Sequence, residues 1–268
     1  MNNVMGKLMR RHYGITTATA LLRAIDITTQ VLPVLFIGAT IILGILQPEH
    51  NPLQNTISEL VLGTGGWFMT LLFLAFGGVY LIFSYRICVT YKGVTRAKTG
   101  AVILTVMGFC FILIAACPTE PRAAMHSLGG IIHVLAAGMV ACLFPPSAYC
   151  IWKSDTGGEG KKSLRCLTQA TIIAGLLLGL ATFAGLILGA PWKGAAERVM
   201  ALNGLVWFQA VGYHLLKYHR ISLPGDIMTR RASLRLQAMM RPAITSGILS
   251  RAVPALQKHA RVMRQYRR

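Results

Sequence analysis

Six unbroken apolar runs dominate the chain and decide its fold class before any motif is considered. They cover residues 28–47, 61–85, 99–117, 127–152, 167–191 and 199–216. A helix needs roughly 20 such residues to cross the hydrocarbon core of a bilayer. Bounded in this way, none of the runs contains Lys, Arg, Asp or Glu. They do not alternate with period two, which argues against barrel strands. Helices then remain the spanning form that satisfies the backbone in lipid. The first run starts far into the chain and no A-x-A-like site follows it, so it reads as a span and not as a cleaved signal. The expected fold is all-α: a polytopic membrane protein with six transmembrane helices.

Composition enters because it conflicts with this picture at first sight. The chain is 54% hydrophobic and 13% charged, yet its formal net charge is +19. That hydrophobicity excludes a disordered basic protein and is too high for a soluble nucleic-acid binder. Counting Lys and Arg by loop resolves the conflict, since basic residues accumulate on the cytoplasmic side. The N-terminal segment, the second and fourth loops and the C-terminal tail hold 24 of the 27 basic residues. The first, third and fifth loops hold Arg122, Lys193 and Arg198. Both termini are therefore expected in the cytoplasm, in the inner (plasma) membrane. The expected segments are a cytoplasmic N-terminal stretch, 1–26, a six-helix transmembrane domain, 27–217, and a basic tail, 218–268. Cys88, Cys150 and Cys166 fall at cytoplasmic span ends, Cys110 and Cys142 within spans, and Cys117 near the outer face. No disulfide framework is expected from that distribution.

Two features concern packing. Span five carries Gly175, Gly179, Gly185 and Gly189, with Gly175 and Gly179 in G-x-x-x-G spacing. Small residues let another helix approach closely, and packing within the monomer is favoured here over a dimer seam. Pro145 and Pro146 near the inner end of span four are expected to kink or loosen it.

The chemistry-bearing residues stand on the side with little charge. Loop one contains Glu49, His50, Asn55, Thr56, Ser58 and Glu59, and loop three contains Cys117, Pro118, Thr119 and Glu120, with His126 at the mouth of span four. Loop five ends in Gly194-Ala-Ala-Glu197-Arg198, followed by Asn203 and Trp207 in span six. His126 and His133 are seven apart and share a helix face, which puts His133 about 8–10 Å below the outer end. An ionisable residue within a span marks a functional candidate. A polar pocket opening outward is expected, its ligand-binding residues being Asn55, Ser58, Glu59, Thr119, Glu120, His126, His133, Glu197, Arg198 and Trp207. Arg198 is expected to pair with Glu59 or Glu120 across the mouth. Asn55 and Ser58 also fit a cap at the start of span two.

These motifs, N-x-I-S-E-L, P-T-E-P with the following His126 and His133, and G-A-A-E-R before a span with Trp207, carry a resemblance. The chain resembles the bacterial and archaeal six-helix integral membrane family known as domain of unknown function 998, over residues 25 to about 217. The resemblance implies a six-helix inner-membrane fold with polar motifs at the outer mouths, and brings no activity, substrate or cofactor. By position its motif residues are Asn55, Ser58, Glu59, Pro118, Thr119, Glu120, His126, Glu197 and Arg198. The family more commonly has an aromatic and an Asp where this chain has Cys117 and Glu120. The basic tail lies outside it.

Four functional classes compete for such a pocket. A bis-His haem needs two histidines at matched depth on facing helices; His133 and His214 lie near opposite ends of the membrane. A membrane-embedded hydrolase acting on a lipid or amide would use Ser58, His126 and Glu120 or Glu59 as nucleophile, base and orienter, or hold zinc on histidines and carboxylates. It lacks G-x-S-x-G and H-E-x-x-H. A small-solute transporter would show a mid-membrane charge or repeat signal. The reading that assumes least is small-molecule or lipid-headgroup binding, or an accessory subunit of a larger membrane complex. Neither a cofactor nor a metal is expected.

Residues 217–268 hold twelve Lys or Arg and one acid, Asp226. Met228, Ala232, Leu236 and Met239 recur at helical spacing, and Pro242 ends that segment. Ile244, Ile248, Ala252, Leu256 and Met263 do so in a second. Both read as basic amphipathic helices on anionic inner-leaflet headgroups. Nucleic acid is discounted as a partner.

Overall fold

The computed structural model describes residues 2–121, 126–154 and 161–218, with side chains over 23–121, 126–154 and 163–218. The expected amphipathic segments of the tail, Arg122 and the fourth loop's acids fall outside these residues. Two compact units divide the chain, Met1–Thr16 with Ile221–Arg268, and Thr17–Arg220. The second holds six helices long and apolar enough to cross a membrane. They belong to α1 (Asn2–Leu46), α2 (Gly66–Thr90), α3 (Thr95–Ala116), α4 (Leu128–Ser154), α5 (Lys161–Ile187) and α6 (Lys193–Tyr218). A short 3₁₀ turn, Ser58–Leu62, stands before α2, and the described residues contain no strand. The connections after α1, α3 and α5 form one end of the bundle, the odd-loop end. Those after α2 and α4 form the even-loop end.

Span two begins later than the hydropathy suggests. Residues 58–62 close a 3₁₀ turn, and Gly65, with φ +75°, precedes the first residue of α2 without a side-chain cap. Asn55 and Ser58 therefore do not cap α2, contrary to expectation: three glycines, Gly63, Gly65 and Gly66, let the chain turn by itself. A side chain at Gly66 would collide with the Val61 and Leu60 carbonyls.

Lipid offers little hydrophobic drive for helix association, so close backbone approach and internal polar links hold such bundles. Both are visible. A Cβ on Gly77 of α2 or on Gly108 of α3 would come within 2.9 or 3.0 Å of the other's carbonyl oxygen. At the same crossing Ser84 Oγ donates to Ala101 O (2.7 Å) and meets Thr105 Oγ1 (2.7 Å). Gly100 of α3 rests on Ile151 of α4. Helices α1 and α6 exchange amides, Gln30 Nε2 to Gln209 O (3.0 Å) and Gln209 Nε2 to Gln30 O (2.8 Å). Gly212 makes room there for Thr29. Gly175 of α5 lies against Asn203 of α6 and Phe144 of α4, and Gly179 faces Met200 of α6. That part of the glycine face thus packs within the monomer. Helix α4 runs through Pro145 and Pro146 without ending.

Rings form the centre. Phe36 meets Phe76 edge-on (5.2 Å), Phe76 stacks on Phe111 (5.7 Å), and Tyr80 stacks on Phe208 (5.0 Å). Offset and edge-on pairs of this kind contribute about 0.5–1.5 kcal/mol each beyond their burial.

The bounds of the first two spans need correction, because they do contain charge. Asp26 and Arg86, placed outside the spans by hydropathy, are both buried within the helices, and Arg86 Nε and Nη2 reach the Asp26 carboxylate at 3.1 and 3.3 Å. Arg86 also donates to Thr90 one turn on. A hydropathy window scores each charge alone and does not see that the two neutralise one another across neighbouring helices.

Candidate functional site

At the odd-loop end the sequence motifs resolve into two structures, a clamp and a pair of cavities. The clamp joins loop one to the first turns of α6. Loop one is first ordered by its own side chains. Asn51 Oδ1 accepts from Leu53 N (3.0 Å) and Asn55 Oδ1 from Asn51 N (2.8 Å). Glu59 accepts from Asn55 Nδ2 (2.6 Å), Thr56 Oγ1 (3.2 Å) and Thr56 N (3.4 Å). The ordered loop then lies on α6. Leu53 O accepts from Gly194 N (2.9 Å) and Ala195 N (3.1 Å), two of the donors that a helix start leaves open. Gly194 is required by contact: a Cβ there would collide with the Asn55 carbonyl oxygen.

Arg198 completes the clamp. Its Nη1 donates to Pro52 O (2.8 Å), Asn55 O (2.7 Å) and Gly194 O (3.0 Å). Its Nη2 meets His50 Nε2 at 2.7 Å. The expected ion pair with Glu59 or Glu120 is not formed. A guanidinium in a nest of carbonyls has its donors satisfied without a carboxylate, and Glu59 is already taken by Asn55 and Thr56. Burial pushes the His50 imidazole below its ordinary range, the neighbouring Arg198 adds to this, and Glu59 opposes it. The geometry agrees, since only a neutral ring nitrogen can accept from the guanidinium. Glu197, beside Arg198 in sequence, turns elsewhere and accepts from Ile57 N (2.7 Å).

Glu120 and His126 stand apart from the clamp, at the start of α4. The Glu120 carboxylate accepts from His126 N (2.8 Å) and Ser127 N (3.0 Å), and Ser127 Oγ accepts from Gly130 N (3.1 Å). Hydrogen bonds from the Ser127 side chain, then from the His126 and Ser127 backbone, hold the Glu120 carboxyl below the usual range. This is helix-start chemistry. Ser58 lines the cavities described next and His126 does not. Among the described residues no hydrogen bond links Ser58, His126 and a carboxylate as nucleophile, base and orienter: Glu120 meets the backbone N–H of His126, and Glu59 meets Asn55 and Thr56.

Two cavities adjoin beneath the clamp. The larger, about 140 Å³, lies among all six helices and is walled by Phe36, Phe73, Phe76, Tyr80, Phe111 and other apolar side chains. The smaller, about 60 Å³, is walled by Thr56, Ser58, Thr119, His133, Thr182 and Glu197 together with apolar residues. Ser58, Ala137, Ala141, Glu197 and Met200 belong to both walls. His133 Nδ1 meets Cys117 O at 2.7 Å, while its Nε2 is buried with no hydrogen-bond partner. Among the described residues no three His, Cys, Asp or Glu side chains converge as a metal would require.

Of the ten expected binding residues, Ser58, Thr119, His133 and Glu197 share the smaller cavity, and Asn55, Glu59 and Arg198 form the clamp. Glu120 and His126 shape the start of α4. Trp207 is separate: it is fully buried, donates Nε1 to Thr168 Oγ1 (3.1 Å) and packs edge-on against Phe144. His50, Thr56 and Thr182 join the expected residues as partners, and so does the aromatic chamber. Helical spacing from Glu197 to Met200 and Ala201 was the available signal for the last.

The family described as Protein of unknown function (DUF998) matches residues 31–214. The chain belongs to this family. The match spans loop one, the start of α4 and the G-A-A-E-R turn, so it takes in both the clamp and the cavities. No curated protein and no solved structure matches the chain.

Proposed function

We propose that this membrane protein binds a small amphiphilic molecule or a lipid headgroup, its polar part in the smaller cavity and its apolar part in the aromatic chamber. The observation that supports this most is the shared wall. Ser58 and Glu197 stand where a polar compartment meets a larger apolar one. Such sites are mostly apolar with a few placed polar groups. A hydrolase is less well supported, since Glu120 is engaged at the start of α4 and His126 lies outside both walls.

In the same reading the odd-loop end faces outward and the termini lie in the cytoplasm, in the inner membrane. The distribution of 24 of 27 basic residues supports that orientation. Residues 218–268 then adhere to anionic headgroups of the inner leaflet.

Native mass spectrometry of the full chain released from mild detergent tests the binding. A non-protein mass should accompany the wild type and disappear on Ala141→Phe, which fills the wall common to both cavities. An equal mass on both proteins, or none on either, overturns the reading.

A further inference from the structure

The hydrogen-bonding sense of the smaller cavity says what kind of head it takes. His133 is decisive. Its Nδ1 faces a carbonyl oxygen, Cys117 O at 2.7 Å, and a carbonyl can only accept, so Nδ1 carries the hydrogen. The Ile114 carbonyl also lies against the ring. In the neutral ring Nε2 is then a bare acceptor. His133 is 2% exposed and Nε2 has no partner. Leaving a buried acceptor unpaired is costly, and this one belongs to a cavity wall.

The neighbouring groups have the same sense. Thr182 Oγ1 gives its hydrogen to Leu178 O (2.8 Å) and Thr56 Oγ1 to Glu59 Oε1 (3.2 Å), which leaves their lone pairs. Glu197 uses Oε2 on Ile57 N, and its other oxygen takes no hydrogen bond from the described residues. Thr119 holds only a long contact to Glu120 O (3.4 Å), and Ser58 Oγ makes no hydrogen bond among the described residues, so these two hydroxyls can give or accept. The cations near Glu197, Arg198 and Lys193, are not in the cavity wall, and Arg198 is spent on loop one. Acceptors therefore predominate in a compartment that opens onto an aromatic chamber.

We infer that the site takes an amphiphile whose head donates hydrogen bonds, an ammonium or a hydroxyl on an apolar body, and discriminates against carboxylate and phosphate heads. This rests on the binding reading above and goes beyond it in naming the ligand class. A buried polar site left unpaired by the wrong head rejects it strongly.

The test uses one body with four heads: 2-phenylethylamine, 2-phenylethanol, phenylacetate and ethylbenzene, titrated calorimetrically into the purified full chain in detergent at pH 7. The amine and the alcohol should each bind about tenfold or more tighter than phenylacetate and ethylbenzene, the factor that one net hydrogen bond to a charged or buried partner provides. Glu197→Gln keeps a carbonyl for Ile57 N and turns an amide donor toward the head. It should cut the preference for the amine over phenylacetate to within about threefold. His133→Phe should weaken the alcohol. Phenylacetate or ethylbenzene binding as tightly as the amine overturns the donor-head inference and leaves the binding reading intact. So does an unchanged preference in a folded Glu197→Gln protein. Failure of all four probes to bind the wild type overturns both. Should either variant not fold, the wild-type ranking decides alone.

Discussion

The two ends of the bundle treat buried charge in opposite ways. At the even-loop end Asp26 and Arg86 face each other at 3.1 Å, and Arg86 has a further partner in Thr90. At the odd-loop end the cation, Arg198, is held by backbone carbonyls and His50, and the nearby carboxylates are held by N–H and O–H groups. In the first arrangement the charges are consumed by one another. In the second they are consumed by backbone, and acceptors on Glu197 and His133 are left over. A buried pair matched in this way fits a structural role. A network that ends in unused acceptors has capacity for something else.

Breaking the even-loop pair should have the largest effect. Arg86→Leu leaves Asp26 buried without its counter-ion, at a cost of about 3–5 kcal/mol. Unfolding in mixed micelles should show it, and Asp26→Leu with Arg86→Leu should recover most of the loss. If the double variant is as unstable as the single, the pair is more than structural.

Loosening the odd-loop clamp comes next. Arg198→Ala removes charge-assisted bonds to three carbonyls and should cost about 1.5–3 kcal/mol. Faster hydrogen exchange at residues 53–57 would localise it to loop one. Gly194→Ala should cost about 1–3 kcal/mol by overpacking. Gly179→Ala, where the nearest atom to a new Cβ is Met200 Sδ at 4.0 Å, should be close to neutral. Equal effects at the two glycines would remove the clamp from the account.

The smallest effect is a pH dependence. His50 titrates lower in the folded protein than its free value near 6.5, so the unfolded chain binds the proton first as pH falls. Stability from this group is fully present above about pH 6.5 and is lost below it, down to the folded value. Melting temperature should fall from pH 7.5 to 5 more steeply in the wild type than in His50→Gln. Parallel curves would mean that His50 and Arg198 do not share a proton-sensitive contact.

The contrast between ends also explains what was legible in the sequence. Six spans could be read directly, because length and apolarity are properties of contiguous residues. The polar motifs of loops one, three and five could be seen as a group. Their division of labour could not. Whether Glu120 lines a pocket or caps α4 depends on where residues six and seven positions later turn. Whether Arg198 seeks Glu59 depends on Asn55 and Thr56 having reached Glu59 first. Asp26 and Arg86 were set outside the spans because a hydropathy window scores each charge alone and not the pair. Trp207 was grouped with the mouth by its place in the motif, yet helix rotation turns it to Thr168 and Phe144.

The clamp has a consequence for how the chain is made. Arg198 and Glu197 hold residues 143 and 140 positions earlier in the sequence. A ribosome-bound chain with five helices already in the bilayer would still lack the residues that seat loop one. The first connection to emerge is thus the last to be fastened, and biogenesis intermediates stopped before residue 193 would present it open to proteases on their side of the membrane.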